Sequence, residues 1–149
     1  MKERVRFAPS PTGPLHIGGL RTALFNYLYT KSRNGTFILR IEDTDRNRLV
    51  KNSDKYIEQS LSWAGIIPDE SPSLGGEYGP YRQSERISLY NEKIELLIAA
   101  DKAYYAFDTD EELGRLRSEK EKKGLVFKYD YSTRCSLDNS LSMNGEDIT

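Results

Sequence analysis

The segment Phe7-Ala8-Pro9-Ser10-Pro11-Thr12-Gly13-Pro14-Leu15-His16-Ile17-Gly18-Gly19 constrains this chain more than any other. Its prolines and glycines break regular structure, while periodic apolar residues stand on both sides. Upstream, Arg4 to Pro9 reads as a short strand. Downstream, Leu20, Ala23, Leu24, Tyr27 and Leu28 recur at helical spacing, so a helix begins near Gly18 and buries that stripe. Arg33-Asn34-Gly35 is a helix stop, and Thr36 to Ile41 reads as a second strand. Strand, helix, strand at this spacing predicts a parallel βαβ unit of a Rossmann-like sheet, whose ligands sit at the carboxyl ends of the strands. The turn with His16 and the segment after Ile41 then share one edge.

The turn itself has the form of a phosphate cradle. Gly18 and Gly19 let backbone N–H groups come close to a ligand, and the first turn of a helix carries partial positive charge. His16 stands where it can donate to a phosphate oxygen. Composition alone also admits an ordinary loop with a structural histidine, which is the commoner case.

Arg40-Ile41-Glu42-Asp43-Thr44-Asp45-Arg46 places three carboxylates and two guanidiniums just past the second strand. Such charges either pair in solvent, hold a divalent cation, or meet a charged ligand. The spacing does not match an EF-hand loop.

Ala8 to Gly18, Ala-Pro-Ser-Pro-Thr-Gly-x-x-His-Ile-Gly, resembles the "HIGH" region of class I aminoacyl-tRNA synthetases in the form found in glutamyl-tRNA synthetases. Gly19 stands where many class I enzymes have a second histidine, which glutamate-type members often lack. Arg-Ile-Glu-Asp-Thr-Asp, from Arg40, is similar to the segment after the second strand in the same family, and Gly79-Pro80-Tyr81-Arg82-Gln83-Ser84-Glu85-Arg86 resembles it again. The likeness runs from about Val5 to Arg134.

The resemblance implies an α/β fold: the N-terminal half of a Rossmann-like class I catalytic domain over residues 1–100, then the start of an inserted acceptor-stem-binding domain over 101–149. It implies that ATP, with Mg²⁺, meets Thr12, His16, Gly18 and Gly19, with His16 the catalytic residue. It assigns Arg6 to the side-chain carboxylate of glutamate, Ala8 and Ser10 to the pocket lining, and Glu42 to the α-ammonium, and it puts Asp45, Arg46 and Arg48 near the 3′ end of tRNA(Glu). A guanidinium offers a fork to a carboxylate, and Glu42 supplies the opposite charge. The implied reaction joins glutamate to ATP as glutamyl-adenylate and then moves it to a terminal ribose hydroxyl of tRNA. Family members generally need bound tRNA for the first step.

The family's lysine-rich "KMSKS"-type loop and anticodon-binding domain have no counterpart here, so the expectation is an incomplete piece with little activity of its own. Some bacterial members carry zinc on a Cys-x-Cys pair and a further cysteine. Here the paired positions are Ala106 and Asp108, leaving Cys135 alone, so no structural zinc is expected. A glutaminyl-tRNA synthetase, a truncated paralogue that glutamylates a modified tRNA base, and a non-catalytic RNA- or partner-binding module are the alternative readings.

The rest of the chain bounds the setting. With 149 residues and 37% hydrophobic composition it suits one compact domain or part of a larger one. The 22 basic and 23 acidic residues nearly cancel, so any RNA contact is local. One cysteine fits a reducing cytoplasm, no apolar leader or membrane-length run is present, and a monomer is the expectation.

Further elements follow from periodicity. A helix from about Asp54 to Ala64 buries Ile57, Leu61 and Ala64, ends at Gly65, and has Trp63 in the core. Ile66 to Pro80 reads as a long loop. A helix from about Ser84 to Ala100 buries Ile87, Tyr90, Ile94, Leu97 and Ile98, with Ser84 or Gln83 near its cap and Arg82 and Arg86 facing RNA phosphates or solvent. Ala103 to Phe107 is a candidate strand, and Thr109 opens a helix with Glu112 in capping-box position. Arg115 to Lys123 is a solvated helix face on which Glu119 and Lys123 can pair. From Cys135 onward the chain reads as irregular.

Overall fold

The computed structural model describes residues 2–143. Its element order is β1 (Arg4–Phe7), α1 (Ile17–Ser32), β2 (Thr36–Leu39), α2 (Ser53–Trp63), α3 (Ile87–Ala99), α4 (Asp110–Lys122) and α5 (Tyr131–Ser136), with 3₁₀ turns at Arg46–Arg48 and Gln83–Arg86. Two compact units divide the chain, Met1–Asn91 and Glu92–Thr149.

In the first unit β1 and β2 pair in parallel, Arg4 opposite Thr36 through Phe7 opposite Leu39, with α1 as the crossover. The crossover closes tightly. A Cβ on Gly35 would lie 2.5 Å from the Glu3 carbonyl oxygen, which already accepts from the Thr36 N–H at 2.8 Å. Only glycine permits that approach. Alternation then sorts the side chains. Phe7, Phe37, Leu39 and Ile41 turn to one face, where Ala23 of α1 and Ile57 and Leu61 of α2 bury them, with Ile66 completing the core. Tyr27 meets Phe37 edge to face, centroids 5.7 Å apart. Arg4, Arg6 and Ala8 take the opposite face of β1.

Segment 66–80 is irregular, as expected, yet it is firmly held. The Asp69 N–H bonds to Phe37 O (2.8 Å) and Leu39 N–H to Glu70 O (2.9 Å), so β2 is flanked on both sides. Glu70 also accepts from Arg4 at 2.7 Å and from the Tyr81 hydroxyl. The Arg4 bond holds the Glu70 carboxyl below the usual range.

Several expectations fail for a physical reason. Trp63 is 83% exposed instead of in the core. At about 100° per residue it lies on the far side of α2 from the buried Leu61. Leu24 and Leu28 of α1 are exposed because the two strands and α2 cover only the Ala23 and Thr30 line. None of Ile87, Tyr90, Ile94, Leu97 and Ile98 is buried in α3, and Ile87 is 51% exposed. A helical period marks a face suited to burial, and the described residues supply no surface that covers it.

The second unit follows the sequence less closely. The capping box of α4 forms as expected, Thr109 Oγ1 accepting from Glu112 N–H and Glu112 accepting from Thr109 N–H. No ion pair among the described residues joins Glu119 to Lys123. Residues 103–107 are no strand; Ala106 makes one antiparallel bridge, to Asn139. A single bridge makes no ladder. Cys135 and Ser136 lie in α5, a short helix capped by polar side chains, which gives no apolar period to read. Asn139 is buried, its amide donating to Arg134 O and Leu137 O and accepting from Leu141 N–H. The expectation for 144–149 lies outside the described residues.

Leu61→Ala should cost about 2 to 5 kcal/mol in urea denaturation, against no more than about 0.5 kcal/mol for Trp63→Ala. In the second unit, Thr133 N–H and the Ser132 and Thr133 hydroxyls pull the Asp130 carboxyl down to about 2. The α5 cap is therefore fully formed above the ordinary aspartate value of about 4 and is lost as pH falls through the lowered one. A carboxyl-carbon NMR titration of Asp130 with its midpoint near 4 would contradict this.

Candidate functional site

The β1–β2 pairing does not stop where the strands end. The Arg40 N–H bonds to Phe7 O and the Glu42 N–H to Pro9 O, both at 3.0 Å, and Val50 N–H reaches Pro11 O at 3.0 Å. The Pro-rich turn and the acidic segment therefore share one edge, as the βαβ pattern predicts. Carrying the same register onward sets Ala8 beside Arg40 and Ser10 beside Glu42. Arg6, Ala8, Arg40 and Glu42 thus stand on the sheet face opposite the core.

Glu42 is the centre of charge there. Its Oε1 lies 3.2 Å from Arg40 Nη2 and 3.9 Å from Arg6 Nη2. Arg6 and Glu42, the two residues assigned to opposite ends of one amino acid, face each other directly. Sequence reading gave Arg40 no role. The missed signal was period-two alternation, which puts Arg40 and Glu42 on one face whenever Ile41 is core. Arg40 is also largely buried, and its Nε has no hydrogen-bond partner among the described residues. Such an unpaired donor costs about 1 to 3 kcal/mol.

The other acidic residues have different partners. Asp43 accepts from Ser84 N–H (2.9 Å) and Ser84 Oγ (2.7 Å), fastening the acidic segment to the 3₁₀ turn before α3. Ile41 N–H bonds to Tyr81 O and Gln83 N–H to Ile41 O, both at 2.9 Å, in the same clasp. Asp45 accepts from Arg48 Nε at 2.6 Å, and that bond lowers its pKa. Arg48 is thus already paired, whereas Arg46 makes no ion pair among the described residues.

Arg82 and Arg86 both have partners within the protein. Arg82 meets Asp54 of α2 at 2.5 Å, and this bond holds the Asp54 carboxyl low. Arg86 Nη1 donates to Tyr78 O and Pro80 O. Both spend their charge on the fold, because the turn they belong to must be tied to α2 and to segment 78–80.

His16 is the N-cap of α1. Its Nδ1 accepts from Gly18 N–H at 3.0 Å, so the neutral ring carries its proton on Nε2, free to donate outward. Gly19 N–H has no protein acceptor among the described residues. A Cβ on Gly19 would come within 2.9 Å of Leu15 Cδ1, so this glycine serves close packing as well as ligand access. Thr12 is exposed in the turn, its N–H bonded to Ser10 O at 2.9 Å. A cavity of about 440 Å³ lies beside this turn, lined by Leu15, Leu20, Tyr56 and Trp63 among others; the Arg6–Glu42 pair takes no part in it.

A helix opened by an imidazole cap, next to a parallel sheet edge bearing both signs of charge, suits a nucleotide and a zwitterion together. Residues 2–147 match the family of class I tRNA synthetases (E and Q), catalytic domain, and the chain belongs to that family. Within it, the chain is 55% identical over 147 residues to the glutamate–tRNA ligase of Christiangramia forsetii, covering 99% of this chain and 29% of that ligase. It is 57% identical over 145 residues to that of Flavobacterium psychrophilum, covering 97% and 29%. The crystal structure of a glutamate–tRNA ligase from Elizabethkingia meningosepticum, in complex with its amino acid, superposes with a TM-score of 0.90 at 56% identity over 99% of this chain and 30% of that one. The chain thus spans under a third of the length of these relatives.

His16→Asn should leave stability unchanged, because asparagine also caps a helix, whereas His16→Ala should cost about 0.5 to 2 kcal/mol in denaturation.

Proposed function

We propose that this chain supplies the ATP- and glutamate-binding half of a glutamate–tRNA ligase, and that the activity belongs to a protein of its relatives' full length. The observation that carries the reading is Arg6 against Glu42 on the open sheet face, in the register that the β1–β2 ladder imposes. Glutamate carries a charge complementary to each member of this pair. Its side-chain carboxylate replaces Glu42 as the partner of Arg6, its ammonium meets Glu42, and Ala8 and Ser10 line the space between. ATP binds at the first turn of α1, with Thr12, Gly18 and Gly19 shaping the cradle, the Gly19 N–H and the helix N-terminus favouring phosphate, and His16 Nε2 donating to it.

The α-carboxylate of glutamate then attacks the α-phosphorus of ATP, releasing pyrophosphate and forming glutamyl-adenylate. A terminal ribose hydroxyl of tRNA(Glu) attacks the carbonyl and releases AMP. These residues act by holding the reactants together and by countering charge as it builds on phosphate. Mg²⁺ enters with the ATP phosphates as part of the substrate. Glu42, Asp43 and Asp45 already have protein partners, and no metal-holding group of three such side chains occurs among the described residues. Of the RNA candidates, Arg46 is best placed to meet a phosphate, while Asp45 and Arg48 hold each other and shape the turn. We divide the protein into a catalytic part, about 1–100, and an acceptor-binding part, about 101–149; the division of the chain into compact units, between Asn91 and Glu92 inside α3, lies a few residues before that boundary. The lone exposed thiol of Cys135 fits a reducing cytoplasm, and we assign the protein there as a monomer.

Glutamate- and tRNA-dependent exchange of pyrophosphate into ATP tests this in the full-length protein. His16→Ala should slow the exchange by about 2 to 4 kcal/mol of lost transition-state stabilisation, and the 149-residue chain alone should charge no tRNA above a heat-killed control. Exchange that is indifferent to His16→Ala would defeat the assignment.

A further inference from the structure

Arg40 is a mostly buried guanidinium whose side-chain hydrogen bonds, among the described residues, go to Glu42 alone. The other arginines near the site anchor the fold, Arg82 through Asp54 and Arg86 through two carbonyls. Arg40 and Arg6 both approach the same oxygen of Glu42, Oε1, at 3.2 and 3.9 Å, and Oε2 has no hydrogen-bond partner among the described residues. Arg40 is the less exposed of the two cations, with 19% of its side chain accessible against 45% for Arg6.

We propose that Arg40 is a positioning residue for amino-acid recognition: it grips Glu42 by Oε1 from the buried side, keeping Oε2 presented to a ligand ammonium and keeping Glu42 from closing onto Arg6. This rests on the glutamate-binding reading of the site. Without Arg40, Glu42 is left with Arg6 as its one neighbouring cation. The two then pair, and both ends of the amino acid lose their partners in a single step. Nothing in this chain of contacts reaches His16 or the first turn of α1, so the effect is confined to the amino acid. Lysine in place of Arg40 keeps a charge near Oε1 without the planar fork, and restores part of the grip.

The test is steady-state pyrophosphate exchange by the full-length protein, with thermal melting measured alongside. Arg40→Gln should raise the glutamate KM by roughly tenfold or more, as the loss of a charge-assisted contact does. The ATP KM and kcat should stay within roughly twofold. Arg40→Lys should fall between Arg40→Gln and the wild type, and it carries the same comparison should Arg40→Gln fail to fold. An unchanged glutamate KM overturns the proposal. So does a parallel rise in both KM values together with a lower melting temperature, since that marks a purely structural arginine. A wild-type protein that exchanges pyrophosphate without regard to glutamate refutes the functional reading itself, and this proposal with it.

Discussion

The parallel pairing of β1 with β2 is the constraint on which everything else depends. Because the ladder runs past the formal strand ends, to Arg40 on Phe7 and Glu42 on Pro9, two segments more than thirty positions apart are set in one register. That register decides which side chains meet the core and which meet the open face. A slip of β1 by one residue would send Phe7 outward and Arg6 inward while β2 kept its faces, so the hydrophobic core and the charged site are specified by the same pairing. The site is in this sense a by-product of burying four apolar residues on the other side of the sheet.

A second layer of contacts fixes the loops that the ladder leaves free. Asp43 with Ser84, Asp54 with Arg82, and Glu70 with Arg4 and Tyr81 tie segment 70–86 to both strands and to α2. Each joins a charged group to a partner 28 or more positions away, with Tyr81 to Glu70 the one shorter span. Exposed ion pairs add little stability individually. Here their value is geometric, since they hold Glu42 between two anchored neighbours.

How legible this was in the sequence depended on range. The strand, turn and helix around His16 were readable because their signals are local: apolar period, proline, glycine. The capping box at Thr109 was readable for the same reason. Trp63 and the apolar stripe of α3 were misjudged because periodicity shows that a face wants cover and is silent on whether these residues provide it. The partners of Arg82 and Arg86 were invisible, since a charge in a sequence does not say which distant group it meets. Arg40 went unread for a different reason. Its position on the face of Glu42 follows from strand alternation, but its importance lies in the carboxylate oxygen that it leaves untouched.

The Glu42 cluster also has a consequence for selectivity. In the structure its charges partly satisfy one another through Oε1, so on the glutamate-binding reading a zwitterion would exchange the long Arg6 contact for a closer one and gain only the difference. A ligand lacking one of the two charges breaks a pairing that it cannot replace. On the glutamate-binding reading, a neutral amide side chain would give Arg6 less than a carboxylate does. On that reading, partly satisfied charge of this kind would make modest affinity and sharp discrimination two faces of one arrangement.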